Sequence, residues 1–212
     1  QSMPISVSIC GYALASAIIF TYVGQTGEYA VAGYGVGTRI EQVVLLPILG
    51  INTAIISIIA QNYGANNIAR IKETYFTAIK YAFIIMITAG TLVFLSANII
   101  TSFFSSDPVV IEYGKRYLKI SAFVLPAYPV FFLSNGFFMA LKKSENAMIS
   151  NLFRNVLNPI AVFYIAKYIG ASFNTFFWIW VGINWFFSIS YFFIVIYYFK
   201  VRLDKSSAVV HP

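Results

Sequence analysis

Residues 29–61 read YAVAGYGVGTRIEQVVLLPILGINTAIISIIAQ, an apolar run in which only Arg39 and Glu41 carry charge. A helix needs about 20 residues to cross a hydrocarbon core about 30 Å thick, so this run crosses with residues to spare. Five further apolar segments accompany it, at 5–23, 71–103, 109–141, 147–169 and 173–199. The segments at 29–61, 71–103 and 109–141 are long enough to tilt, kink or extend into water. The breaks between segments are short and rich in turn formers: Gly24-Gln25-Thr26-Gly27, Gly64-Ala65-Asn66-Asn67, Ser105-Ser106-Asp107-Pro108, Lys142-Lys143-Ser144-Glu145 and Gly170-Ala171-Ser172. Connections this short force antiparallel neighbours. The expected fold is an all-α integral membrane protein of six transmembrane helices, with no soluble domain.

Composition points the same way. Of 212 residues 59% are hydrophobic and only 10% are charged, against about 25% charged in a soluble domain. Too few charges remain to cover a globular surface. A soluble enzyme, a disordered tail and a free-standing nucleic-acid-binding domain are thereby excluded. The net charge of +7 is read by placement rather than as a signal for nucleic acid. With a cytoplasmic N-terminus, the inner flanks hold Arg70, Lys72, Lys80, Lys142, Lys143, Arg154, Lys200, Arg202 and Lys205. The outer flanks hold Lys115, Arg116, Lys119 and Lys167. This imbalance predicts that both termini of the multi-pass protein are cytoplasmic; its expected location is the cell (plasma) membrane.

Cys10 has no second cysteine to pair with, and the lone His211 lies in a polar tail, so neither a disulfide nor a histidine-based site is expected. The sequence contains no GxxxxGK[ST] loop, Ser-His-Asp set or HExxH motif, which predicts a non-enzyme without cofactor or metal. No basic stretch precedes the first apolar run. The chain starts at Gln1, almost inside a hydrophobic segment, and is expected to be a piece of a longer protein.

Ionisable groups are costly inside a bilayer, and Glu41 is the only acid well inside any segment. A carboxylate there is a candidate for binding a proton or a sodium ion; the alternative is a structural pair with a base from another helix. Arg39, two residues away, points to nearly the opposite face. The helical period puts Tyr34, Thr38, Leu45, Ile48 and Asn52 on or near the face of Glu41. Tyr34, Thr38, Arg39, Asn52, Asn135 and Asn158 are therefore candidates for lining a water-filled cavity. The commoner use of such asparagines, with Asn155 and Asn184, is to bond neighbouring helices. Pro47, Pro126, Pro129 and Pro159 are candidate kinks or hinges. Gly33 and Gly37 form a GxxxG pair that permits close helix approach. The many Tyr and Phe rings suit lipid-facing packing first and an aromatic-cation site second.

The block Ala32-Gly33-Tyr34-Gly35-Val36-Gly37-Thr38-Arg39-Ile40-Glu41, followed by Pro47 and by Ala60-Gln61-Asn62-Tyr63-Gly64-Ala65, resembles the eighth helix of the multidrug and toxic compound extrusion (MATE) transporters. Ala60 stands where their signature usually has glycine. Phe103-Phe104-Ser105-Ser106-Asp107-Pro108 resembles the loop before their helix ten, and Arg154 and Pro159 resemble the Arg and Pro of helix eleven. The resemblance covers nearly the whole chain. It implies the C-terminal lobe, helices seven to twelve, of a twelve-helix transporter with two lobes. The implied partners are membrane lipid, the absent N-terminal lobe and small organic, mostly cationic, substrates. The implied activity is multidrug efflux by antiport against sodium ions or protons. Some members carry coupling carboxylates in the first lobe, others in helices seven and ten. Segments one and four hold no mid-membrane acid here, which leaves Glu41 as the coupling candidate. Alternatives are a flippase for lipid-linked sugars or polysaccharides of the same superfamily, disfavoured by the scarcity of cavity bases beyond Arg39 and Arg154, and an inactive fragment or membrane scaffold.

Overall fold

Each turn-forming break in the sequence ends one helix and starts the next. The computed structural model describes residues 2–203; Lys205 and His211 lie outside them. Three long helices come first: α1 (Ser2–Gly24), α2 (Glu28–Gly64) and α3 (Ile68–Phe104). The fourth segment divides into α4 (Pro108–Ser121) and α5 (Tyr128–Ala140), and the fifth into α6 (Ser144–Leu152) and α7 (Asn158–Tyr168). Helix α8 (Phe173–Tyr198) closes the bundle. No strand occurs among the described residues. The six expected segments are all helical, and the two interruptions are the difference from an uninterrupted set of six.

The helix starts follow from local chemistry. Asn67 Oδ1 accepts from the Arg70 N–H at 3.0 Å. Asp107 Oδ1 accepts from the Val109 and Val110 N–H groups at 2.7 and 3.3 Å. Pro108 opens α4, where an N–H would have had no intrahelical partner. Gly27 and Gly170 turn the chain at φ 124° and 62°, positions that penalise a side chain.

The interruption in the fourth segment follows from Pro126 and Pro129, which have no N–H to donate. A single 3₁₀ turn, Leu125–Ala127, joins α4 to α5. Carbonyls exposed by such a break have no water to turn to in a membrane. Helix α8 supplies donors instead: Trp185 Nε1–H to the Phe123 carbonyl at 2.8 Å, and Ser188 Oγ–H to the Ala127 carbonyl at 3.1 Å. In the fifth segment a wide π-turn, Phe153–Leu157, precedes Asn158 and Pro159. Three of the four candidate kink prolines thus sit at interruptions. The fourth, Pro47, lies inside α2, which runs on as one helix.

Four stretches are long and apolar enough to cross a membrane: Glu28–Gly64, Ile68–Phe104, Pro108–Ala140 and Phe173–Val201. In Pro108–Ala140 the most apolar window is 72% buried, against 17%, 22% and 28% in the other three, so the broken segment is the core of the bundle. Helix α2 packs along α3, α4 and α5, while α1 packs along α6 and α7. The α2–α4 contact needs its glycines. A methyl group at Gly33 would stand 2.7 Å from the Gly114 nitrogen and the Val110 carbonyl oxygen. Outward faces are apolar as well: Leu92, Leu95, Ile99, Phe186 and Phe193 are all exposed, as a lipid-facing surface requires.

Candidate functional site

The bundle encloses a cavity of about 360 Å³ bordered by α1, α2, α4, α5, α6, the π-turn and α8. Helix α2 contributes Tyr34, Thr38 and Glu41 to its wall, successive positions of one helical face. Thr38 directs its hydroxyl back to the Gly35 carbonyl at 3.0 Å. Glu41 is half-buried, and both of its oxygens are engaged. The Tyr117 hydroxyl of α4 donates to Oε2, and the Tyr128 hydroxyl of α5 donates to Oε1. The two phenols stand on either side of the 122–127 break, so the carboxylate bridges the two halves of the core segment.

Rings hold these phenols in place. Tyr34 meets Tyr117 edge-on at 5.0 Å and stacks on Phe177 at 5.4 Å, and Tyr117 meets Phe177 edge-on at 4.8 Å. Opposed edge and face charges make such pairs favourable by about 0.5–1.5 kcal/mol beyond their burial. On the same cavity wall, the Arg154 guanidinium lies 4.2 Å from the ring centre of Phe131, 4.8 Å from that of Tyr128 and 5.1 Å from that of Phe132. Ring faces attract a cation, and more strongly where water is excluded. Tyr128 therefore touches both charges of the wall, Glu41 with its hydroxyl and Arg154 with its ring.

The structure brings together Glu41, Tyr34 and Thr38 of the residues expected from sequence. It places the other four elsewhere. Arg39 is exposed and absent from the cavity wall, as its two-residue offset from Glu41 dictates. Asn52 shares the face of Glu41 but lies three turns on, where α5 closes the gap. Its buried Oδ1 has no partner, and a methyl group on Gly136 would stand 2.2 Å from it. Asn135 accepts from the Tyr191 hydroxyl at 3.1 Å, a helix-to-helix bond. Asn158 is fully buried beside the π-turn, away from the cavity.

Tyr117 and Tyr128 were not among the sequence candidates. Their spacing of eleven residues, three helical turns, would place both on one face of an unbroken helix. Arg154 entered as an inner-flank base and, through the family resemblance, as a helix-eleven arginine and cavity base. Asn151, Asn155, Phe177 and Trp180 complete the polar and aromatic wall.

Residues 4–165 match the MatE family model. The chain is 26% identical over 156 residues to a protein of Shewanella oneidensis named as an FAD transporter, covering 74% of this chain and 34% of that protein. It is 27% identical over 164 residues to a Bacillus subtilis protein named as the probable multidrug resistance protein YpnP, covering 77% of this chain and 34% of that one. Its backbone superposes with a TM-score of 0.87 and 21% identity on a solved MATE structure in complex with MaL6, covering 96% of this chain and 45% of the other. The chain thus spans about a third of these curated relatives and just under half of the solved transporter. A helical lobe of this topology, matched over three quarters of its length, belongs to the MatE family, the multidrug and toxic compound extrusion transporters.

Proposed function

We propose that the chain forms the second six-helix lobe of an exporter that moves small organic compounds across the cell membrane in exchange for sodium ions or protons. Both termini then lie on the cytoplasmic side. The observation that carries this reading is Glu41, the acid of the cavity wall, with each oxygen held by a phenolic hydroxyl. A substrate cation or a coupling ion arriving at the carboxylate takes over the role of those donors. Two competitors for one charge cannot bind together, and that competition is what exchange requires. The aromatic wall supplies a surface for flat organic bodies. The names of the relatives, one for FAD transport and one for multidrug resistance, support an organic substrate.

Alternating access moves one lobe against the other, so the exporting unit contains the N-terminal lobe as well. The test is Glu41→Gln in the complete transporter, reconstituted into vesicles with an imposed sodium or proton gradient. The change keeps volume and hydrogen bonding and removes the charge. Ion-driven export of ethidium is expected to vanish while the protein inserts normally. Unchanged export and ion dependence would assign coupling to the other lobe.

A further inference from the structure

A second hollow lies apart from the cavity, a groove of about 580 Å³ between α3, the 122–127 break and α8. That is the size of a small-molecule site, and no residue lines both hollows. Helix α8 divides them: Phe177 and Trp180 border the cavity, whereas Trp178, Val181 and Trp185 border the groove. Polar atoms of the groove wall are turned away from it. The Thr91 hydroxyl donates to the Ile87 carbonyl of its own helix at 2.9 Å, and the Trp185 indole N–H is committed to the Phe123 carbonyl. Leu95, 73% exposed, continues the wall into the lipid-facing surface. Such a wall suits hydrocarbon.

One end of the groove carries charge. Lys119 Nζ lies 5.3 Å from the ring centre of Phe94, Phe94 meets Phe123 edge-on at 5.8 Å, and Phe123 lies 5.3 Å from Trp178. Depth follows from helix length. The 37 residues of α3 span about 55 Å against a hydrocarbon core of about 30 Å, which leaves about 12 Å beyond it at each end. Phe94 stands about 15 Å from the Phe104 end of α3, so its ring marks the boundary between hydrocarbon and headgroups. A lysine there keeps its stem in the apolar layer and its ammonium among headgroups. Glu112 holds Lys115 at 2.7 Å and Arg116 at 2.9 Å, and Lys119 joins no ion pair among the described residues. Trp178 is 48% exposed, and its indole N–H has no acceptor among the described residues. A cation without a counter-ion and an N–H without an acceptor thus stand at headgroup depth beside a wall that suits a hydrocarbon chain.

We propose that this groove binds one anionic phospholipid, with an acyl chain laid along the break and the phosphate held by Lys119 and Trp178. The apolar wall takes the chain, and the positive end takes the headgroup. A zwitterionic lipid offers the same phosphate but adds an ammonium that Lys119 repels, so charge sets the choice between lipids. Packed against Ala122, Phe123 and Pro126, the chain braces the interruption of the core segment from outside the cavity. The site is separate from Glu41, and its failure would leave the export reading untouched.

Native mass spectrometry tests this on the complete transporter in detergent, incubated with equal amounts of palmitoyl-oleoyl phosphatidylglycerol and palmitoyl-oleoyl phosphatidylcholine. The wild type is expected to retain one phosphatidylglycerol about fivefold more often than phosphatidylcholine. Lys119→Gln should bring the two lipids within about twofold of each other. Lys119→Arg should keep the preference, which separates loss of charge from loss of fold. Lys167→Gln, which removes a base of α7 outside the groove, should keep it as well. Thr91→Trp, which fills the groove, should lower retention of both lipids by one molecule. Glycerol 3-phosphate in excess should displace neither. A preference that survives Lys119→Gln, or that Lys167→Gln removes equally, overturns the proposal. Unchanged retention in Thr91→Trp would leave the groove to the other lobe and also overturns it. Displacement by glycerol 3-phosphate would make this a site for free phosphate esters and overturns the lipid.

Discussion

Gly37 of α2 and Tyr117 of α4 pack so closely that a methyl group on the glycine would lie 2.2 Å from ring carbon Cδ1 of the tyrosine. That ring carries the hydroxyl bonded to Glu41. The close helix approach therefore positions one of the two donors at the carboxylate. Overpacking of this kind costs about 1–3 kcal/mol. Gly37→Ala is expected to lower the thermal midpoint of the detergent-solubilised transporter and to impair ion-driven export. Gly35→Ala is the control, since an added methyl group there meets nothing within 4 Å. It should be neutral or stabilising by up to about 1 kcal/mol. Equal midpoints for the two variants would show that the α2–α4 contact yields freely.

Removing one phenol hydroxyl while keeping its ring separates hydrogen bonding from packing. Hydrogen bonds to charged groups contribute about 1.5–3 kcal/mol, which corresponds to tenfold or more in ion affinity. Tyr128→Phe and Tyr117→Phe should each lower the ion concentration for half-maximal export by about tenfold, because one donor no longer competes with the ion for Glu41, and should lower the thermal midpoint through loss of that bond. Vesicle transport across a series of sodium concentrations at fixed pH, and of pH values without sodium, gives the shift and also names the ion. An unshifted curve in both variants would detach the tyrosines from coupling.

Ser188 and Trp185 satisfy two carbonyls at the interruption of the core segment. Loss of a partner from a buried polar group costs about 1–3 kcal/mol. Ser188→Ala removes the donor that α8 gives the Ala127 carbonyl, in addition to that carbonyl's own bond within α5, and is expected to lower the midpoint of thermal unfolding. Trp185→Phe should do the same. Midpoints at the wild-type value would show that the break closes up to satisfy itself.

Topology is tested by labelling single cysteines in intact cells after Cys10 is replaced. An impermeant thiol reagent should modify a cysteine at Ser172, in the turn before α8, and should spare one at Ser207. The reverse pattern would invert the proposed orientation of the lobe.

Helix extents were legible in the sequence because apolar runs and turn residues alternate cleanly along it. Pro126 and Pro129 also announced the interruption in the core segment. Pro159, which has no N–H for the Asn155 carbonyl, marked the second interruption, but nothing in Phe153, Arg154, Asn155, Val156 and Leu157 announced that it takes the form of a π-turn. In the site, the period of α2 alone placed Tyr34 and Thr38 beside Glu41. The same period failed at Asn52, because a face that borders a cavity at one level borders α5 three turns later. Tyr117, Tyr128 and Arg154 belong to other helices, and their approach to Glu41 depends on helix crossings that no single-helix period encodes.

The π-turn at 153–157 has a further consequence. One residue beyond the α-helical count turns everything after it by about 100° relative to everything before. Helix α6 lays its side chains against α1 and α5, whereas α7 lays its own against α8 and α1. A straight helix of uniform pitch could present its contact stripe in only one direction at these two depths. The phase slip lets a single rod serve neighbours that lie at different bearings around it. Deleting one residue from 153–157 would put the two stripes back in phase, and one end of the rod would then turn a polar or ill-fitting face to its neighbour.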